Sequence, residues 1–349
     1  MSYTNGLDDP TLYFNTVTWT GTSDATTSVT GVNFQPDFVW IKNRNVADDH
    51  TLHDAIRGST KTLFSNSTGA EGTNTESIQS FDSDGFTTGN HRGTGGDAGN
   101  GMVSWNWLAS NTTASNTDGS ITSTVSANTT SGFSIVSYTG SGSAATIGHG
   151  LSTSPSIILV KNRSTAYSWI VYHKSLGATK NLYLDLNNAS DTSSIHFNDT
   201  EPTSSVFSVG TSLATNKSGD NLIAYCFAEK KGFSKFGSYT GNGSSDGTFV
   251  YTGFKPAMLI VKQSNASGEN WYIHDNKRST YNVTNNLLFP NTNDAESTNN
   301  PNASYDFLSN GFKARDSYAG SNASGGTYIY MAFASEPFTT STGIPCTAR

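Results

Sequence analysis

Cysteine is almost absent from this 349-residue chain. Its two cysteines, Cys226 and Cys346, are too few for a disulfide framework, which fits synthesis in a reducing cytosol. Charged residues are also scarce, at 13%, and the formal net charge is −7. Because nucleic acid is bound through a basic surface, this charge argues against a nucleic-acid partner and against an anionic membrane surface.

Long apolar runs are missing as well, and the first residues do not have the pattern of a signal peptide. No run approaches the roughly 18 apolar residues that a membrane-spanning helix needs, so we expect no membrane insertion. The segment 1–6 has neither a basic region nor an apolar region of the kind that forms a signal peptide. We therefore expect synthesis in the cytosol, with any later role outside a cell reached by assembly or lysis.

The place of the missing residues is taken by Ser, Thr, Asn and 34 Gly. These residues disfavour long helices, because the polar side chains compete for backbone hydrogen bonds and Gly costs conformational entropy. The 15 Tyr, 19 Phe and 6 Trp supply enough apolar surface for packed cores. The composition predicts an all-β protein with many turns.

Three segments of the chain repeat one pattern: residues 13–110, 132–231 and 232–338. Each opens on an aromatic-Thr-Gly sequence, continues to a proline that precedes an apolar run ending in lysine, and closes on an alternating strand. The offset between matching landmarks is 119 from the first copy to the second and 101 from the second to the third. The prolines are Pro36, Pro155 and Pro256. Constant offsets of this kind indicate tandem modules.

The closing strand indicates the type of module. In the first copy, period-two alternation places Val103, Trp105 and Trp107 on one face and Ser104 and Asn106 on the other. Large apolar groups on one face predict a sheet with one buried side. Short strands between Gly, Asn and Ser turns predict three tandem antiparallel β-sandwich modules of jelly-roll-like type.

The remaining segments are an N-terminal arm (1–12), a connection between the first two modules (111–131) and a C-terminal tail (339–349). The connection is either an extra edge strand or a flexible polar linker. The second and third modules abut directly. With roughly 35 Å per compact module, we expect an elongated rod of about 100 Å.

The most suggestive polar feature is a histidine near the end of one strand in each copy: His53, His173 and His274. Histidines at matching positions suggest a metal ligand, a pH sensor or another ligand contact. Their neighbours differ, however, and no second ligand recurs. We favour hydrogen-bonded structural histidines and predict no bound metal and no cofactor.

Two tryptophans and three lysines also follow the repeat. Trp169 and Trp271 are candidates for stacking against a sugar, although core packing is the usual role of a single tryptophan. Lys42, Lys161 and Lys262 each end an apolar strand. Lysine at such a place protects an exposed sheet edge from pairing with another chain, which is the role we predict.

No catalytic arrangement recurs among the copies. No pair of acids repeats, as glycoside hydrolysis would need. The sequence Asp82-Ser-Asp84-Gly85 resembles the start of a calcium loop but lacks its later ligands, so a tight turn is the better interpretation. We predict a protein without enzymatic activity.

Several longer motifs support a family resemblance. They are Leu7-Asp-Asp-Pro10, Gly31-Val-Asn-Phe-Gln-Pro-Asp-Phe-Val-Trp-Ile-Lys-Asn-Arg44, His53-Asp-Ala-Ile-Arg-Gly58, Ser83-Asp-Gly-Phe-Thr-Thr-Gly89 and Tyr328-Ile-Tyr-Met-Ala-Phe-Ala334. With these motifs the chain resembles repeat proteins of marine tailed bacteriophages, of the tail-fibre or virion-surface type. The second copy departs from the pattern, because His173-Lys-Ser-Leu-Gly177 replaces the His-Asp-x-x-Arg motif.

The resemblance implies a non-enzymatic structural protein on the virion surface, synthesised in the host cytoplasm, in an external appendage such as a tail fibre that binds the host surface. It implies contacts with other virion proteins and a homo-oligomer, for which a trimer is one arrangement, and host surface glycan as a candidate ligand. A capsid decoration or cement protein, or a head fibre, is the alternative. A polysaccharide depolymerase is a third and less favoured hypothesis.

Overall fold

The computed structural model describes residues 7–346, and within them the chain is all-β with antiparallel sheets, as predicted. Its helices are one turn long or shorter. They are α1 (Ser194–Phe197), α2 (Leu213–Asn216), α3 (Ala319–Asn322) and two 3-10 turns at Pro10–Leu12 and Arg92–Thr94. Among these described residues, no helix has the length and apolar character needed to cross a membrane.

Residues 13–110, called module 1, form a sandwich of a large and a small sheet. Its strands are β1 (Phe14–Thr20), β2 (Thr27–Thr30), β3 (Phe38–Asn43), β4 (Thr51–Asp54), β5 (Lys61–Phe64), β6 (Gly72–Thr73), β7 (Ile78–Asp82), β8 (Gly85–Thr88) and β9 (Gly101–Trp107). The large sheet has the order β1-β9-β3-β4-β5-β6, and the small sheet has the order β2-β8-β7.

Module 2 (residues 132–231) repeats this plan with two additional strands. The strands are β10 (Ala114–Asn116), β11 (Ser123–Asn128), β12 (Phe133–Thr139), β13 (Ala145–Gly148), β14 (Ile157–Asn162), β15 (Ile170–His173), β16 (Lys180–Tyr183), β17 (Asp191–Thr192), β18 (Val206–Val209) and β19 (Asn221–Phe227). The large sheet has the order β10-β11-β12-β19-β14-β15-β16-β17, and β13 pairs with β18. The connecting segment 111–131 thus supplies β10 and β11 to one edge of the module 2 sheet, with β10 as the outermost strand.

Module 3 (residues 232–338) has the same two layers. Its strands are β20 (Ser234–Thr240), β21 (Phe249–Tyr251), β22 (Phe254–Gln263), β23 (Trp271–Asp275), β24 (Tyr305–Leu308), β25 (Gly311–Ala314) and β26 (Thr327–Pro337). The large sheet has the order β20-β26-β22-β23, and the small sheet has the order β21-β25-β24.

Each large sheet is buried on both faces, which the alternation of the closing strands did not predict. In β9, Trp105 and Trp107 point away from the small sheet, whereas Ser104 and Asn106 point toward it, and all four are at most 1% exposed. The small side chains face the small sheet of their own module, and the large aromatic side chains face the other modules. The prediction of a sheet with only one buried side is therefore wrong.

The rod-like arrangement is wrong for the same reason. One apolar cluster contains the outward faces of all three large sheets, with members from every module. Separate apolar clusters fill the sandwiches of modules 1, 2 and 3. Because large apolar faces left in water would cost about 25 cal/mol per Å², the modules pack side by side around a shared core instead of extending end to end.

Three equivalent aromatic residues mark the centre of this core. Trp107, Phe227 and Phe333 pack against one another with ring-centroid distances of 6.1 Å (Trp107–Phe227), 5.6 Å (Trp107–Phe333) and 5.9 Å (Phe227–Phe333). Since each module contacts both others, the three form a closed ring with approximate threefold repetition. A cavity of about 20 Å³ beside Trp40 and Met331 has room for about one water molecule.

Candidate functional site at the module junctions

Strand pairing corrects the alignment of the three histidines. In each module, one residue of the strand that carries the histidine pairs with the same position of the strand before it, and these residues are Asp54, His173 and Asp275. His173 therefore occupies the position that an aspartate has in modules 1 and 3. The pairs are Phe38–Asp54, Ile157–His173 and Met258–Asp275. The alignment of His173 with His53 and His274 is therefore wrong by one residue.

His53 and His274 lie inside the sandwiches of their own modules. In His53, Nδ1 lies 2.9 Å from the carbonyl oxygen of Ser59 and Nε2 lies 3.0 Å from Oγ of Ser77. The ring of His274 stands edge-on to Tyr305 at 5.0 Å. Burial lowers the pKa of both histidines to about 3, so they are neutral at physiological pH.

His173 lies at the junction between modules 2 and 3. Its Nδ1 accepts a hydrogen bond from the Ser175 amide at 3.1 Å, so Nε2 carries the proton and faces the carbonyl oxygen of Tyr330 at 3.2 Å. Burial lowers the pKa of His173 to about 4. A neutral imidazole thus bridges two modules.

The two candidate tryptophans also bridge modules. The Trp169 indole donates to the carbonyl oxygen of Phe64 in module 1 at 2.8 Å, and the Trp271 indole donates to that of Tyr183 in module 2 at 2.9 Å. Trp169 is 0% and Trp271 is 5% exposed. Neither ring offers a free face to a sugar in solution, and both hold junctions together.

The three lysines are not at sheet edges, so the edge-protection role is wrong. Their strands β3, β14 and β22 each lie between two others. Lys42, Lys161 and Lys262 are fully buried, and their ammonium groups donate to backbone carbonyls. Lys161 reaches Thr68 of module 1 at 2.8 Å. Burial lowers the pKa of all three to about 8.

The junction between modules 1 and 2 contains a buried ionic network. Asp54 and Arg57 form an ion pair whose side chains are 0% exposed. The Arg57 amide donates to Asp54 Oδ1 at 2.8 Å, and its guanidinium donates to the Leu52 carbonyl at 2.8 Å. From module 2, the Tyr225 hydroxyl donates to Asp54 Oδ2 at 2.7 Å. Both charges are therefore paired and hydrogen-bonded, as buried ions require.

Glu71 extends this network toward the surface. Its carboxylate accepts from Arg163 of module 2 at 2.8 Å and 3.0 Å and lies 3.4 Å from the Arg57 guanidinium. The Glu71 amide also donates to the Arg163 carbonyl at 2.9 Å. A bidentate arginine–carboxylate pair fixes both position and angle, so it sets the relative orientation of the two modules.

The junction between modules 3 and 1 has the same construction. Asp275 pairs with Arg278 at 2.6 Å and accepts from the Trp105 indole of module 1 at 3.1 Å. The Arg278 guanidinium lies over the Trp105 ring at 5.5 Å, a cation–π geometry. Glu296 pairs with Arg278 at 3.4 Å and with Arg44 of module 1.

The junction between modules 2 and 3 keeps the backbone contact and loses the charges. Ser190 occupies the place of Glu71 and Ser264 that of Arg163, and the Ser190 amide donates to the Ser264 carbonyl at 2.8 Å. Leu176 replaces Arg57, and Met331 replaces Tyr225 as the residue from the neighbouring module. The histidine in place of the aspartate thus belongs to a junction without an ion pair.

A groove of about 460 Å³ lies at the surface of the junction between modules 2 and 3. Hydroxyl groups, an amide and one lysine line it. The lining residues include Ser175, Lys180, Ser190, Ser264, Asn265 and Thr327. A groove with several uncharged donors and acceptors can form hydrogen bonds with a polar, hydroxyl-rich ligand, which makes it the candidate binding site of the chain.

The acidic sequence at Asp82–Gly85 forms a turn, as we favoured. Asp84 accepts from the Asn33 amide at 2.6 Å and from the Gly31 amide at 3.1 Å, so its oxygens are used within the module. Within residues 7–346, no group of three or more His, Cys, Asp or Glu side chains is placed to hold a metal ion.

The junction networks themselves were not predicted. Asp54 and Arg57, and likewise Asp275 and Arg278, stand three residues apart in the sequence, and that recurring spacing was the available signal. Glu71 and Glu296 lie in segments that the repeat comparison did not align. Their partners come from another module, which no local pattern identifies.

The fold and the junctions define a class of protein: an all-β chain of three sandwich modules closed around one core by buried polar networks. The chain belongs to the family described as Domain of unknown function (DUF7483), whose model matches residues 9–337. A comparison with curated proteins finds no match.

Proposed function

We propose that the protein is a non-enzymatic structural protein of a tailed-bacteriophage virion, part of an external appendage that contacts the host surface. The observation that supports this proposal is that the residues that recur in the three modules hold the modules together. Aromatic residues, lysines and the Asp–Arg pairs serve the shared core and the junctions. A rigid block of this kind leaves the variable surface for recognition.

The groove between modules 2 and 3 is the proposed contact with host glycan. It lies where the three junctions differ, and Ser190 and Ser264 there replace a carboxylate and a guanidinium. Sugars present hydroxyl groups in both donor and acceptor roles, which the hydroxyls of Ser175 and Ser190 and the ammonium group of Lys180 complement.

Filling the groove tests this contact. The double variant Ser175→Arg/Ser190→Glu places two long side chains in the groove, at an exposed and a half-buried position, and keeps the net charge. We expect binding of the purified protein to host surface glycan to fall at least tenfold, with unchanged thermal stability. The matched control, Ser204→Glu/Ser205→Arg at exposed positions, should bind normally. Unchanged binding by the groove variant would remove the groove from the proposal.

The place of the protein in the particle needs a separate experiment. Mass spectrometry and immunogold labelling of purified particles should find the protein on an external appendage, at a few copies per particle. Its absence from purified particles would contradict the proposal as a whole.

Capsid decoration is the second candidate, and the ring arrangement favours it. Three similar modules around one axis match a threefold position of a shell, so a single chain can contact three neighbouring subunits alike. This role predicts a high copy number and labelling over the head, whereas an appendage predicts labelling at the tail.

A further inference from the structure

A second groove, of about 540 Å³, lies where the chain passes from module 2 into module 3. Residues of three segments line it: 229–235 at the passage, 251–253 before and at the start of β22, and 338–343 around the start of the C-terminal tail. The tail is held in place there, because the Phe338 amide donates to the Gly253 carbonyl at 3.1 Å and the Ser341 amide donates to Asp8 at 2.8 Å. The volume lies within the range of about 300–1,000 Å³ that is usual for small-molecule sites.

Two aromatic side chains in this groove remain exposed. Tyr251 is 59% and Phe338 is 38% exposed, whereas the aromatic residues of the shared core are buried. Covering an aromatic ring is favourable, so two exposed rings in one concave surface offer apolar area to a ligand.

The charge of the groove is positive. Lys231 and Lys235 line it, and the Glu229 carboxylate lies 2.6 Å from the Lys235 ammonium group and 2.5 Å from that of Lys174. Three ammonium groups and one carboxylate leave a local charge of +2 in a chain whose net charge is −7. An ammonium group has three N–H donors, of which Glu229 accepts one from Lys235. The groove therefore suits an anionic ligand.

This combination of residues is specific to module 3. Strand pairing aligns Lys235 with small polar residues of the other modules, Asn15 and Ser134. The repeat offsets align Tyr251 with glycines, Gly31 and Gly150. In module 1 the Asn15 amide donates to the Gly31 carbonyl at 3.4 Å, so the two positions bond to each other. Because the other modules fold without the lysine and the tyrosine, the shared fold does not require them.

We propose that this groove binds a sugar that carries a carboxylate, such as a uronic acid unit of an acidic polysaccharide. The carboxylate accepts hydrogen bonds from the ammonium groups of Lys231 and Lys235, and the C–H face of the sugar ring packs on the Tyr251 ring. An acidic peptide offers carboxylates without a rigid apolar face beside them, so the two exposed rings favour the sugar. The site is separate from the groove lined by Ser175 and Ser190 and does not depend on the proposed virion function.

Calorimetric titration of the full chain with a galacturonic acid tetrasaccharide tests the ligand class. We expect saturable binding that weakens as the NaCl concentration rises, because salt screens the attraction between exposed charges. A neutral galactose tetrasaccharide, which has no carboxylate, should bind at least tenfold more weakly. Glucuronic acid and sialic acid oligosaccharides complete the set of acidic probes.

A double variant tests the residues. Lys231→Gln/Tyr251→Ala changes two exposed side chains of the groove, so binding of the acidic tetrasaccharide should fall at least tenfold with unchanged thermal stability. The matched control is Lys277→Gln/Tyr281→Ala, which removes the same residue types at exposed positions outside the groove. The control should bind as the wild type does.

Three results would overturn the proposal. One is the absence of binding by all of the acidic probes. Another is equal binding of the acidic and neutral tetrasaccharides, or of a hexaglutamate peptide, since the groove would then not recognise a carboxylated sugar. The third is an equal loss of binding in the groove variant and the control variant, which would place the sugar elsewhere on the protein.

Discussion

The Tyr225 hydroxyl of module 2 donates a hydrogen bond of 2.7 Å to Asp54 of module 1, in a region from which water is excluded. The equivalent donor at the next ion-paired junction is the Trp105 indole, which donates to Asp275 at 3.1 Å. Where the aspartate is replaced by His173, the facing residue is Met331, which has no donor. At each junction the residue of one module thus suits the residue that it faces: a hydrogen-bond donor faces each aspartate, and an apolar residue faces the histidine.

Tyr225→Phe should weaken the junction between modules 1 and 2. The change removes one hydrogen bond to a buried carboxylate and leaves the apolar ring in place, so the free energy of unfolding should fall by about 1–3 kcal/mol. Denaturant unfolding measures the change. The control Tyr251→Phe, at a residue that is 59% exposed, should change stability by less than about 0.5 kcal/mol. Equal effects would contradict the role of the Tyr225 hydroxyl.

Arg57→Leu should be much more harmful, because it leaves Asp54 buried without its counter-ion. The expected loss is about 3–5 kcal/mol. The triple variant Asp54→His/Arg57→Leu/Tyr225→Met copies the junction between modules 2 and 3 and removes the unpaired charge. It should be more stable than Arg57→Leu alone by at least about 1 kcal/mol. A triple variant less stable than the single one would show that the three residues are not matched as a set.

Stability should fall as the pH drops below about 6.5. Burial lowers the pKa of six histidines, with values of about 3 for His53 and His274 and about 4 for His173. Between these values and 6.5 the unfolded chain binds more protons than the folded chain, so protonation favours unfolding. Two aspartates act in the opposite direction, because burial raises the pKa of Asp37 to about 6 and also raises the pKa of Asp185.

Denaturant unfolding at pH 7.5, 6.0 and 5.0 measures this dependence. His173→Gln should reduce the slope of stability against pH, because it removes one of the titrating groups and keeps a hydrogen-bonding side chain. A slope identical to that of the wild type would show that His173 does not contribute.

The shared core predicts a single unfolding transition. Removing any module exposes the apolar faces of the other two large sheets, so the three modules should unfold together, with calorimetric and van't Hoff enthalpies in agreement. A chain truncated after residue 231 should bind a hydrophobic dye or aggregate. Three separate calorimetric transitions, or a well-folded truncated chain, would contradict the shared core.

Some of the candidate site was within reach of the sequence. The offset of 119 that aligns Pro36 with Pro155 also takes Asp54 to His173. Matching the copies by residue type concealed this, since a histidine lies one residue before the aspartate in modules 1 and 3. Strand register settles the question, because a shift of one residue moves a side chain to the opposite face of a sheet.

The lysines show where sequence reasoning stops. Lys42, Lys161 and Lys262 were expected at exposed edges, because a charged group normally remains in water. Their burial depends on carbonyl groups such as that of Thr68, which reaches Lys161 from another module. Contacts between segments this far apart leave no periodic pattern in the sequence.

The sequence by itself determined the all-β class, the threefold repeat and the alternation of large and small side chains along each closing strand. These features are local, since they follow from a backbone period of two and from the turn residues between strands. Only the tertiary structure decided that Trp107, Phe227 and Phe333 meet in one core and that the modules form a ring. The physical reason is that a large apolar face gains its stability from whichever surface covers it, and the sequence of one strand does not specify that surface.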